Sequence, residues 1–167
     1  MFTSLQEFLQ TWEKDSESTL RILEALTDES LQQAVTKDDR TLGRIAWHLV
    51  VTIPEMMEKT GLSIQSIAED TPVPTKARTI ADSYRDISQA LMAGIKNQWH
   101  DQTLLEERNM YGEAWTIGTT LTVLIHHQIH HRGQMTVLMR QAGLPVPGIM
   151  GPSREEWGQF GMEAPAL

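Results

Sequence analysis

Apolar side chains recur every three to four positions along most of this chain, which is the spacing of helices that bury one face. The pattern predicts four long helices, at residues 4–26, 38–61, 79–100 and 115–142. No segment alternates apolar and polar residues as a strand does, and we interpret NMYGE at residues 109–113 as a turn. Four long helices without strands predict an all-α protein, and the natural arrangement is a four-helix bundle.

Particular residues set the predicted helix ends. Gly61 and Gly143 follow the last periodic residues of the second and fourth helices, where glycine commonly ends a helix. Thr79 and Asp82 have the spacing of a capping box and would start the third helix. Gly133 lies inside the fourth helix, where glycine lowers helix propensity, and it predicts the close approach of a neighbouring helix.

Two segments lie outside the four helices. Residues 62–78 contain two prolines and form a connection long enough to cross one end of a bundle. Residues 143–167 are rich in proline and glycine but carry two aromatic residues, Trp157 and Phe160. We therefore expect the tail to dock on the bundle through these aromatics, and residues 1–167 to form one domain.

Composition limits the classes of function. Hydrophobic residues make up 40% of the 167 residues and charged residues 22%, as in soluble globular proteins. The net charge of −8, with scattered Lys and Arg, argues against a nucleic-acid-binding surface. No apolar run approaches the roughly 20 residues that span a bilayer, and the acidic, amphipathic start is unlike a targeting segment. We expect a cytoplasmic protein that binds neither nucleic acid nor a membrane.

Four of the six histidines lie in LIHHQIHHRGQ, residues 124–134, inside the fourth predicted helix. Residues four apart lie on one face of a helix, so either His126 with His130 or His127 with His131 has the spacing to hold a common ion. His131 points roughly 50° and His127 roughly 90° from the centre of the apolar face, whereas the other two point nearly opposite. We therefore predict that His127 and His131 face inward and that His126 and His130 are solvated.

His48 lies within the second predicted helix, which is apolar on nearly every side. Taken alone, it is more typical of a hydrogen-bonded core residue than of a ligand, and the paired histidines would also suit a polar surface cluster. The second and fourth helices of a bundle nevertheless bring the three imidazoles within reach in either relative direction. Because the chain has no cysteine, a metal here would be held by nitrogen and oxygen ligands. We interpret His100, at a predicted helix end, as a dipole partner.

These motifs together resemble one family. The segments HHRGQ in the last helix, AWHLV followed by TIPEMM in the second, and the tail VPGIMGPSREEWGQFGMEAP are similar to the DinB/YfiT-like superfamily of metalloenzymes, and most of all to its damage-inducible bacillar branch. The likeness covers essentially the whole chain. It implies a four-helix bundle with a long connection between the second and third helices, commonly a homodimer. It also implies a divalent ion, zinc or nickel, held by His48, His127 and His131.

The resemblance further implies an activity, because relatives include thiol S-transferases that use bacillithiol, mycothiol or glutathione. Three imidazoles leave a tetrahedral ion one open position, where it can activate water for hydrolysis or bind a low-molecular-weight thiol cosubstrate as thiolate. The leading hypothesis is a small-thiol S-transferase in stress response or detoxification, with a small-molecule substrate. A metal-dependent hydrolase and a non-catalytic metal-binding stress protein are the alternatives. No catalytic residue is assigned, nor any role for Arg132 and Gln134.

The residues give only weak support for a zinc metalloprotease of the HExxH type, and we set that interpretation aside. Gln128 follows His127 and is no general base, and none of the four clustered histidines is followed by glutamate. The motif that remains is a spaced histidine triplet on two helices.

Overall fold

The computed structural model describes residues 2–65, 67–68 and 70–166. Its long helices are α1 Leu5–Glu24, α2 Leu42–Thr60, α3 Ala77–Gln98 and α4 Ile117–Gln141. Both α1 and α2 pack against α3 and α4, so the helical bundle predicted from the apolar spacing is confirmed. A core drawn from all four helices is wholly buried and includes Phe8, Trp12, Leu49, Ile53, Ile80, Leu91, Leu121 and Leu124. None of the helices formed by the described residues combines the length and apolarity that crossing a membrane requires.

A short β-hairpin precedes α4, so the prediction that the chain has no strands is wrong. Strands β1 Glu107–Met110 and β2 Glu113–Thr116 pair in antiparallel fashion. Tyr111 and Gly112 connect them with φ values of 60° and 94°, as a two-residue hairpin turn requires, and Asn109 accepts a hydrogen bond from the Gly112 amide. Strands of four residues are too short for alternation to show in the sequence.

The start of α3 is capped from a distant part of the chain. The Ala77 amide donates to Asp28 Oδ1 at 2.8 Å, and this carboxylate satisfies a backbone group that a helix N-terminus leaves free. The predicted capping box of Thr79 and Asp82 does not form, because the helix begins two residues earlier and Asp82 pairs with Arg78 at 2.9 Å. Spacing within a segment gives no information about a cap that comes from elsewhere.

The start of α2 lies later than the predicted residue 38 or 39. Thr41 is the N-cap, and its hydroxyl accepts from the Arg44 amide at 3.2 Å. Asp39 instead closes the preceding loop, accepting from the Thr36 amide at 3.1 Å and the Thr36 hydroxyl at 2.8 Å. This loop leads directly into the helix that carries His48.

The glycines predicted to end helices do so, but the interpretation of Gly133 is wrong. Gly61 and Gly143 adopt left-handed conformations, with φ of 84° and 76°, directly after α2 and near the end of α4. A side chain added at Gly133 would meet no other part of the chain within 4 Å. No described helix of the same chain therefore approaches α4 at that position.

The tail docks on the bundle through different residues from those predicted. Val146 is buried, whereas Trp157 is only half-buried and Phe160 is 60% exposed. Glu156 accepts a hydrogen bond from the Gly148 amide at 2.9 Å and so closes the tail on itself. Trp157 and Phe160 therefore belong to a local turn of the tail and do not anchor it to the core.

Candidate metal centre

Three histidines from two adjacent helices meet in one cluster. His48 lies in the second turn of α2, and His127 and His131 lie one turn apart on α4, which packs against α2. One ring nitrogen of each lies within 4.8 Å of the others. The Nε2 atoms of His48 and His127 are 3.1 Å apart, and the ring centroids of His127 and His131 are 4.5 Å apart. The structure thus brings together the three residues that the sequence singles out.

Hydrogen bonds on the far side of two rings select the tautomer. His131 Nδ1 lies 2.7 Å from Gln134 Oε1, which can only accept, so Nδ1 carries the proton. His48 Nδ1 lies 3.3 Å from the Thr52 hydroxyl, which donates its own proton to the His48 carbonyl at 2.7 Å and therefore accepts from the ring. Both rings consequently present an unprotonated Nε2 to the cluster, which is the form that binds a metal.

The donor set fits a cation. An ion with Zn–N distances of about 2.0–2.1 Å and tetrahedral angles holds its nitrogen ligands roughly 3.3 Å apart, close to the 3.1 Å between the Nε2 atoms of His48 and His127. Without a shared proton or cation, two lone pairs would face each other at that distance. The 3.1 Å spacing, together with the unprotonated Nε2 atoms of His48 and His131, therefore fits a cation. His127 Nδ1 is buried and has no hydrogen-bond partner among the described residues, so no second contact sets the tautomer of this ring.

All three imidazoles are held neutral near pH 7. Burial, helped by the charge that His131 would carry, lowers the pKa of His48 and of His127 to about 4. Burial also lowers the pKa of His131, against the raising effect of its hydrogen bond to Gln134. The nearby guanidinium of Arg40 acts in the same direction on all three pKa values. Because only neutral imidazole coordinates, these shifts favour metal binding.

Comparison with known proteins gives the family. The sequence profile of the DinB family matches residues 1–163. The chain belongs to the DinB family. It is 53% identical over 167 residues to the uncharacterized protein YrdA of Bacillus subtilis (strain 168), and the match covers 100% of both chains.

Solved structures of DinB-like proteins have the same fold. One from Bacillus cereus ATCC 10987 is 46% identical and superposes with a TM-score of 0.86, covering 89% of this chain and 99% of that one. A second, YjoA from Bacillus subtilis, is 15% identical with a TM-score of 0.64 and covers 83% of this chain and 96% of its own. This second likeness concerns the fold alone.

The remaining histidines of this DinB chain lie outside the cluster. His126 and His130 are exposed, as predicted from the phase of α4, although the ring of His130 contacts that of His131 at 4.9 Å. His100 caps a 3-10 turn, Asp101–Leu105, with its ring 3.2 Å from a threonine hydroxyl. Among the described residues, the histidines with a metal-binding arrangement are therefore His48, His127 and His131.

Two functional contacts were not predicted from the sequence, namely the hydrogen bonds of Thr52 and Gln134 to the histidine rings. Each residue lies one helical turn after the histidine that it contacts, at i+4 and i+3, so spacing on the helix is the signal that could have found them. Arg132, next to His131 in the sequence, points away from the cluster and pairs with Asp15.

The lowered pKa values predict how the stability of the metal-free protein depends on pH. An unfolded chain binds a proton at each histidine near the ordinary value of 6.5, whereas folded His48 and His127 bind it only near pH 4. The free energy of unfolding should therefore be unaffected by these groups above about pH 6.5 and fall as the pH drops from there towards 4. Urea unfolding of the metal-free protein at pH 7.5 and pH 5 measures this.

Carboxylates contribute to the same pH range, so variants are needed to isolate the histidines. His127→Gln should lose less stability than wild type between pH 7.5 and pH 5. His126→Gln, which alters an exposed ring one residue away, should keep the wild-type dependence. Equal slopes for wild type and His127→Gln would contradict the assignment.

Proposed function

We propose that the three-histidine cluster binds a divalent ion, zinc or nickel, and that the protein is a DinB-type enzyme transferring a small thiol to an electrophile. The observation that carries the proposal is the meeting of His48, His127 and His131, with ring nitrogens within 4.8 Å and tautomers set for ligation. Three protein ligands leave a tetrahedral ion one position for an external molecule, the arrangement of catalytic rather than structural sites. Cysteine is absent from the chain, so the thiol would come from a cosubstrate.

The roles of the residues follow from their contacts. His48, His127 and His131 would hold the ion, while Thr52 and Gln134 fix two of the rings and keep their Nε2 atoms free of protons. A bound divalent ion supplies Lewis acidity, which lowers the pKa of a thiol or a water in its remaining position. Half-burial of the cluster leaves that position accessible to a small molecule.

The test is conjugation of a thiol to a fluorogenic electrophile. Protein reloaded with zinc or nickel is incubated with bacillithiol or glutathione and monochlorobimane, and the metal of protein as purified is identified by elemental analysis. We expect conjugation above the uncatalysed rate, loss of that excess in His127→Ala, and its retention in His126→Ala, the exposed neighbour on α4. A rate no faster than that of His127→Ala would remove the transferase proposal. Turnover of esters without thiol would support the hydrolase, and metal loss that changes only stability would support a structural or sensory ion in a stress protein.

The proposal includes a homodimer in the cytoplasm, where low-molecular-weight thiols are kept reduced. Support for the dimer comes from the outer face of α4. There Ile129 is 47% exposed, and Gly133, one turn on, leaves open space where a side chain would stand. A second copy would explain both features, and light scattering at increasing concentration would measure the molar mass.

A further inference from the structure

A groove lies beside the histidine cluster and has both apolar and charged lining. Its volume is about 450 Å³, and its lining includes Val35, Arg40, Ile45, His131, Gln134 and Val137. It is formed by the loop before α2 on one side and by α4 on the other. A molecule in this groove would lie against His131, and so directly beside the cluster.

The charge at the groove comes from Arg40. Six of the nine arginines form an ion pair with a carboxylate, namely Arg78, Arg85, Arg108, Arg132, Arg140 and Arg154. The side chains of Arg21, Arg40 and Arg44 form none with the described residues, and of these three only Arg40 lines the groove. Arg40 forms no ion pair or hydrogen bond with any described residue and is exposed to solvent. In a chain of net charge −8, where carboxylates are plentiful, an arginine left free at a groove is available to an external anion.

The carboxylate next to Arg40 does not neutralise it. Asp39 also lines the groove, but its Oδ2 accepts from both the amide and the hydroxyl of Thr36. These bonds commit the Asp39 side chain to the loop.

Two large apolar side chains of the groove are more exposed to water than is usual for such residues. Val35 is 63% and Val137 is 55% exposed, and they are among the few large apolar side chains that remain open to water. They face a shared space together with Ile45, which is buried. An apolar wall of this kind suits the hydrocarbon body of a small molecule.

We infer that this groove binds the substrate of the metal centre and that the substrate is a small organic anion. Arg40 would bind its carboxylate or phosphate, and the side chains of Val35, Ile45 and Val137 would cover its apolar body, placing the other end of the molecule beside His131. Calling the ligand a substrate rests on the proposed function. The preference of the groove for anions can be tested without any metal or turnover.

The experiment compares an anion with its neutral counterpart. Binding of 4-phenylbutyrate and of 4-phenylbutyramide is measured by calorimetry on metal-free and zinc-loaded protein, for wild type, Arg40→Gln and Arg21→Gln. Arg21 is exposed on α1, does not line the groove, and its replacement changes the net charge equally. We expect wild type to bind the anion about tenfold more tightly than the amide, with or without zinc, and Arg40→Gln to lose this preference. Arg21→Gln should keep it.

Each other outcome has a defined meaning. Equal affinity for anion and amide overturns the inference, as does a preference that survives in Arg40→Gln. If that surviving preference appears only with zinc, the carboxylate binds the ion, which overturns the role of the groove but supports the metal centre. A preference that needs Arg40 in a protein that binds neither zinc nor nickel supports the groove and refutes the proposed function.

Discussion

Replacing His127 by alanine is expected to weaken binding of Zn²⁺ by about 100- to 1,000-fold. Structural zinc sites bind with about 10–16 kcal/mol shared among four ligands, so one ligand is worth roughly 2.5–4 kcal/mol, which is about two to three powers of ten in affinity. His127 Nε2 lies 3.1 Å from His48 Nε2, so replacing His127 removes one donor from the cluster. Competition with a chromophoric chelator at pH 7.5 measures the affinity.

The controls separate ligands from their supports. His126→Ala should bind zinc as wild type does, because that ring is exposed and outside the cluster. Gln134→Ala should bind zinc about 10- to 100-fold more weakly than wild type, a smaller loss than that of His127→Ala, since it removes the acceptor that orients His131. Gln141→Ala, an exposed glutamine two turns further along α4, supplies the matched control. Wild-type affinity in His127→Ala would show that the cluster is not the metal site.

The pairing of His127 with His131 could be predicted from the sequence because each part of that argument is local. The i, i+4 pairing of His127 and His131 is a property of one helix, and the apolar residues of the same helix set which pair faces inward. The exposed positions of His126 and His130 agree with that phase. His48 needed more, since nothing in its own segment distinguishes a ligand from a core histidine. The family resemblance supplied that step.

What the sequence could not predict depends on contacts between distant segments. Asp28 caps α3 and Asp101 accepts from the Leu5 amide at the start of α1, and in both cases the carboxylate lies on another element. The position of Arg40 at a groove likewise depends on how the loop before α2 packs beside α4, and the sequence of neither segment shows this. Periodicity reports which face of a helix is buried but not which loop covers its end.

The role of Arg132 could also not be predicted from its place in the sequence next to His131. One residue after His131, it is rotated by about 100° and points to the other side of α4. There its guanidinium reaches α1, donating to Asp15 Oδ1 at 2.8 Å, to the Asp15 carbonyl at 3.1 Å and to the Thr19 hydroxyl at 2.8 Å. Its role is therefore to join α4 to α1 rather than to line the metal site.

Arg132→Ala is expected to lower the free energy of unfolding by about 3–5 kcal/mol. The Arg132 and Asp15 side chains are only 7% and 10% exposed, and removing one partner of a buried pair leaves the other charge without compensation. Asp15 Oδ2 is already buried without a hydrogen-bond partner among the described residues, so the carboxylate has little alternative stabilisation. Urea unfolding at pH 7.5, monitored by circular dichroism, gives the change.

Two further variants show whether burial of the charge is the cause. Arg140→Ala, also on α4, breaks a more exposed pair with Glu155 of the tail and should cost much less stability, because water screens that pair. The double variant Arg132→Met, Asp15→Leu removes both charges while keeping apolar volume, so it should recover much of the stability that Arg132→Ala loses. A loss in Arg132→Ala no larger than that in Arg140→Ala would contradict the buried pair. Zinc affinity in the double variant should match wild type, because the pair holds α1 against α4 without touching the three histidines.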